Sequence, residues 1–61
     1  MKYYIEYGYD RHYTSWVTIV FDEDGNQVDC EYDGNKISRD YSIKMFKDEY
    51  NTNDVRKIKA Y

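Results

Sequence analysis

Thr14-Ser15-Trp16-Val17-Thr18-Ile19-Val20-Phe21 is the stretch on which the fold turns. It is rich in β-branched and aromatic residues at both odd and even positions. A strand with one wet face alternates apolar and polar side chains, so a run that is apolar on both sides reads as a central strand. Just before it, Lys2 to Tyr9 alternates strictly, with Tyr3, Ile5, Tyr7 and Tyr9 on one side and Tyr4, Glu6 and Gly8 on the other. That pattern predicts a strand, interrupted by Asp10 to Tyr13. After the central run, Asp22-Glu23-Asp24-Gly25-Asn26 is turn chemistry, with Gly25 free to adopt positive φ, so the chain should return as a hairpin. Gln27 to Asp33 is the expected return strand. Its alternation assigns Val28, Cys30 and Tyr32 to the core and Asp29, Glu31 and Asp33 to solvent.

From about Ser38 the period becomes helical, with Ser38 or Asp40 as the expected N-cap and Asn51 as the stop. At about 100° per residue, Ile43, Phe46 and Tyr50 fall on one face and should cover the sheet. Tyr41 and Met45 lie nearly opposite and should face outward. Val55 to Tyr61 reads as a last strand. The expected fold is therefore α+β: a small antiparallel sheet with one helix packed on it, in the order β-β-β-α-β, forming one domain over residues 1–61.

A chain of 61 residues buries only about 60% of its unfolded surface, so its stability should be marginal. Small domains are commonly reinforced by disulfides, a metal or oligomerisation. Cys30 is the only cysteine, which excludes an internal disulfide and fits a reducing compartment. No run approaches the roughly 20 apolar residues of a membrane span, and Met1-Lys2-Tyr3-Tyr4-Ile5-Glu6 lacks a signal-peptide apolar region. The sequence thus predicts a cytoplasmic protein with no membrane partner. Leu and Pro are absent, whereas Tyr occurs nine times and aromatic residues make up 20% of the chain. Tyr rings can fill core and interface while their hydroxyls stay near water. The richness in Tyr, Asn, Lys, Ile and Asp also fits AT-rich codons and a low-GC genome.

The net charge of -3 conceals a segregated distribution. Residues 1–20 sum to zero, residues 21–34 carry six acids and no base, and residues 35–61 sum to +3. Alternate strand residues stand about 6.6 to 6.8 Å apart, so Asp29, Glu31 and Asp33 would form a row of outward carboxylates. Such a row could imitate a DNA backbone toward a nucleic-acid-binding enzyme, although a charged strand also serves simply to protect a sheet edge. An EF-hand reading fails, because setting Gly25 at its sixth position puts Val20, which has no ligating side chain, at its first. Arg56, Lys57 and Lys59 near Tyr61 could attract nucleic acid, but the hairpin at -6 would repel it, which argues against direct binding. His12 is the only histidine, and nothing in its spacing to Cys30 requires the two to meet. No phosphate-binding Gly loop or cluster of metal ligands is present. No catalytic residue, metal or cofactor is therefore expected, and the protein reads as a non-enzyme.

In its acidic run from Asp22 to Asp33 and the Tyr-rich strands around it, the chain resembles the small, acidic, aromatic-rich inhibitors that bacteriophages and other mobile elements encode against host nucleic-acid enzymes or defence systems. That resemblance implies a stoichiometric blocker of a host protein, often dimeric. The residues expected to carry binding are Asp24, Asp29, Glu31 and Asp33 for charge. Tyr41 and Met45 are expected at a homodimer or partner contact, and Trp16 in the core. Two rival readings are a structural or regulatory interaction module, and a small nucleic-acid-binding domain using the basic final strand.

Overall fold

The structure, a computed structural model, describes residues 1–58. Four strands and one helix follow in the order β1 (Tyr3–Asp10), β2 (Ser15–Asp22), β3 (Gln27–Asp33), α1 (Lys36–Glu49) and β4 (Val55–Lys57). This is the expected α+β order. The sheet runs β3-β2-β1-β4, so the apolar Ser15–Asp22 run is an inner strand. The first three strands are antiparallel neighbours, but β4 pairs parallel with β1, and the sheet is mixed rather than antiparallel. The reason is the connection: α1 carries the chain from one sheet edge over to the other, so β4 enters in the direction of β3 and β1. Lys59, Ala60 and Tyr61, expected in the final strand, lie outside the described residues.

The β2–β3 hairpin closes through Asp22. Its carboxylate Oδ1 accepts the backbone N–H groups of Asp24 and Asn26, each at 2.9 Å, and Gly25 takes φ +84°. One extra residue, Val28, is accommodated where Val20 pairs Asp29 but Phe21 pairs Gln27. Such a bulge bends an edge strand and increases its twist. At the other end, Asp10 is buried and its Oδ1 accepts the backbone N–H of His12 at 2.9 Å and that of Tyr13 at 3.4 Å. This is a side-chain-built turn that carries Thr14 at φ 47°.

The helix begins two residues before Ser38. Asn35, in extended conformation, caps it by accepting the Ser38 N–H at 2.8 Å. It ends as expected near Asn51, which sits in the left-handed region at φ 51°, while the Thr52 N–H reaches back to the Lys47 carbonyl at 3.1 Å. Ile5, Val20 and Phe46 form the centre of the core, with Tyr3, Tyr50 and Val55 packed around it. Of the predicted helical stripe, Phe46 is buried and Tyr50 half-buried, whereas Ile43 sits at the flank. Ser42 is buried, and Arg39 is held over the sheet as well. The Arg39 guanidinium lies 4.4 Å from the Trp16 ring centre and 5.1 Å from that of Tyr7. Trp16, expected in the core, is only half-buried; it meets Tyr9 edge-on and serves as the platform for Arg39.

Candidate functional site

The return strand spans the predicted residues, but its faces are reversed. Asp29 and Asp33 point to the helix side, where each finds a hydroxyl donor. Ser42 Oγ donates to Asp33 Oδ2 and Tyr50 Oη donates to Asp29 Oδ2, both at 2.7 Å. Cys30 and Tyr32 take the opposite, helix-free face, and Tyr32 and the bulge residue Val28 are exposed rather than core. The physical reason is that β2 is apolar on both sides, so hydrophobic alternation in β3 has no preferred side to match. The donors on α1 then decide the register, because a half-buried carboxylate is stabilised by an accepted hydrogen bond and destabilised without one.

This reversal dismantles the continuous outward carboxylate row. Asp29 and Asp33 are each committed through one oxygen to the helix, and Asp29 also accepts its neighbour's Cys30 N–H at 2.8 Å. Glu31, between them, is exposed and makes no ion pair among the described residues. Asp24 is exposed at the hairpin tip, at the far end of β3 from Asp33. The four acidic residues singled out in the sequence therefore do not form one surface.

The structure instead joins part of that set to the other expected contact. A groove of about 290 Å³ between β3 and α1 is lined by Glu31, Asp33, Tyr41, Ser42, Met45 and Phe46. Tyr41 and Met45 are 65% and 48% exposed, so two carboxylates stand beside two accessible, polarizable side chains. Phe46 forms the apolar floor and belongs to the core. Sequence reasoning missed Ser42, although a small hydroxyl residue one turn before Phe46 on the covered face was a usable signal.

A larger cavity of about 500 Å³ lies at the other end, among Tyr3, Tyr4, Thr52, Asp54 and Arg56. Two of its charged residues, Asp54 and Arg56, are engaged with each other. Arg56 donates through Nε and Nη2 to the two oxygens of Asp54, at 3.1 and 3.0 Å, and its guanidinium stacks 4.0 Å from the Tyr4 ring centre. That hydrogen bonding holds the Asp54 carboxyl below its ordinary range and the Arg56 guanidinium above its own. Arg56 is thus committed within the chain and not presented as a free phosphate contact.

No known protein family, curated protein or solved structure matches this chain. The site's chemistry must therefore be read from its own groups. The hydrogen bond to Asp29 raises the Tyr50 phenol well above its ordinary range, since ionising it would set two negative charges face to face. Partial burial, and then the carboxylates of Glu31 and Asp29, push the Cys30 thiol up and disfavour its nucleophilic thiolate. His12 is exposed on the β1–β2 turn, where its ring meets Tyr13 edge-on. Among the described residues no group of three His, Cys, Asp or Glu is placed to hold a metal ion, and no helix is long and apolar enough to cross a membrane.

Proposed function

We infer that this chain is a non-enzymatic protein-binding domain that docks a basic segment of a partner protein in the groove between β3 and α1, and blocks that partner stoichiometrically. The observation that carries the reading is the convergence of Glu31 and Asp33 with the exposed Tyr41 and Met45 around one groove. An Arg or Lys side chain suits such a lining. Its stem packs on Met45, its charged head meets Glu31 and the free oxygen of Asp33, and its cation lies over Tyr41. The acidic hairpin, with Asp22, Glu23 and Asp24 at its tip, would speed encounter with a basic surface without setting the final affinity.

The test is methyl NMR on the two methionines, titrated with a capped arginine-rich peptide at low salt. The expected result is a saturable shift of the Met45 methyl with Met1 unmoved, and at least tenfold weaker binding for Glu31→Gln combined with Tyr41→Ser. An unmoved Met45 signal, or binding by the folded double variant equal to the parent's, overturns the reading.

A further inference from the structure

An open sheet ends in two outer strands, and each presents backbone groups that another strand could use. One of them here is β4, of three residues, and the other is β3, of seven. A very short edge offers little to pair with, so β3 is the edge that needs protection.

Which of its groups face outward follows from the ladder. Ile5 donates its N–H to the Asp54 carbonyl and the Tyr7 carbonyl accepts the N–H of Ile58, both at 2.8 Å, so the odd-numbered residues of β1 turn their backbone groups toward β4. Glu6 and Gly8 therefore turn theirs toward β2, where they meet Ile19 and Val17. That leaves Trp16, Thr18 and Val20 to bond across to Asp33, Glu31 and Asp29. Cys30 and Tyr32 fall between these positions and point their N–H and C=O groups away from the sheet.

The two outward amides differ. The Cys30 N–H is met at 2.8 Å by Oδ1 of Asp29, whose Oδ2 accepts the Tyr50 hydroxyl at 2.7 Å. The hydroxyl holds the carboxylate from the helix side and leaves its other oxygen aimed at the edge. The Tyr32 N–H has no side-chain acceptor among the described residues. On the hairpin side of Asp29 the bulge at Val28 already breaks the ladder.

We propose that Asp29 guards the outer edge of β3 against strand addition, by occupying the Cys30 amide that a further strand would use. An antiparallel strand laid along this edge would exchange a pair of backbone hydrogen bonds with Cys30, and the donor of that pair is already taken. A bond from N–H to a carboxylate is roughly twice as strong as one to a neutral carbonyl. An incoming strand must therefore displace the better acceptor and leave the half-buried Asp29 carboxylate short of a donor. The bulge closes the edge on one side of this point, and the exposed charge of Glu31 discourages approach on the other.

The experiment is amide hydrogen exchange by NMR on the parent, Asp29→Ala and Asp29→Asn, over a range of protein concentration. It is run at about 1 M salt, where screening within about 3 Å mutes Glu31 and Asp33. In the parent, after correction for intrinsic rates, the Cys30 amide should exchange at least about tenfold more slowly than that of Tyr32, the protection one charge-assisted hydrogen bond supplies. Asp29→Ala should erase that difference, and both amides should then become protected as concentration rises, the mark of β3 edges pairing between copies. Asp29→Asn keeps an oxygen acceptor and should behave as the parent does. Equal rates in the parent, a slow Cys30 amide in folded Asp29→Ala, or a freed Cys30 amide without concentration-dependent protection overturns the proposal. Should Asp29→Ala not fold, Tyr50→Phe decides: without the hydroxyl that aims Asp29, Cys30 exchange should quicken at least about threefold, and an unchanged rate overturns the guard.

Discussion

Arg39 offers the sharpest test of how the helix is held. Its side chain is only 14% exposed and bonds the exposed Asp40 at 2.6 Å, while its guanidinium covers Trp16 and Tyr7. The ion pair with the next residue in sequence is exposed on one side and should contribute well under 1 kcal/mol. The two ring contacts, on half-buried aromatics, should contribute about 0.5 to 1 kcal/mol each. Burial of the three-carbon stem adds about 1 kcal/mol. Arg39→Ala should therefore cost about 2 to 3 kcal/mol, a large part of the stability of a chain this short. In a domain of roughly 60 residues that corresponds to a fall in Tm of more than about 10 °C. Arg39→Met keeps the stem and removes the cation, and should recover only about half of the loss. Urea unfolding followed by Trp16 fluorescence measures all three chains, and Trp16 reports the contact itself. If Arg39→Met is as stable as the parent, the guanidinium contributes nothing over the rings. If Arg39→Ala lies within about 0.5 kcal/mol of the parent, the anchor as a whole is refuted.

Three further outcomes are expected. Because the folded-state pKa of Tyr50 is raised, the proton is held more tightly in the folded chain; the associated stability is fully present below the unfolded value near 10 and is lost as pH rises beyond it, so Tyr50→Phe should cost about 1 kcal/mol at neutral pH and should flatten the decline seen in urea melts of the parent above about pH 10. The Thr18 hydroxyl is fully buried between β1 and β3 and has no hydrogen-bond partner among the described residues, so Thr18→Val, of nearly the same shape, should stabilise the fold by about 1 kcal/mol in the same melts; a loss of stability would mean the hydroxyl is satisfied in solution. Cys30, half-buried and with its thiol pushed up, should alkylate several-fold more slowly in the folded chain than in urea at about pH 8, and equal rates would contradict the placement.

The elements were largely legible because each rested on a local signal: β2 on its continuous apolar run, the hairpin on Asp22 to Asn26, the helix end on Asn51. The parallel pairing of β4 was not, since nothing in Val55-Arg56-Lys57 specifies direction; that is set by where the helix delivers the chain. Nor was the start of the helix, where Asn35 outcompeted Ser38 by capping it. Ser38 N–H is the very group that Asn35 binds. For the candidate site, Tyr41 and Met45 were legible as exposed neighbours, and Glu31 and Asp33 as charges. That the two sets share a groove follows only from the face that β3 presents.

That face could still have been derived from two spacings. Ser42, Phe46 and Tyr50 succeed one another at four-residue intervals, placing two hydroxyls on one side of α1 about 12 Å apart along its axis. Asp29 and Asp33 are four residues apart on a strand, about 13 Å. The two lengths match, and because α1 runs back against β3, the first hydroxyl meets the last carboxylate and the second meets the first. Had β3 shifted by one residue against β2, every side chain in it would change face. Cys30 and Tyr32 would then press under the helix, and three carboxylates would sit beside Ile19 and Val17 on the bare face. The groove would lose its charge. One register choice, made by the bulge at Val28 and held by two hydroxyl-to-carboxylate bonds, thus creates the acidic groove beside the helix and leaves Cys30 and Tyr32 on the face behind it.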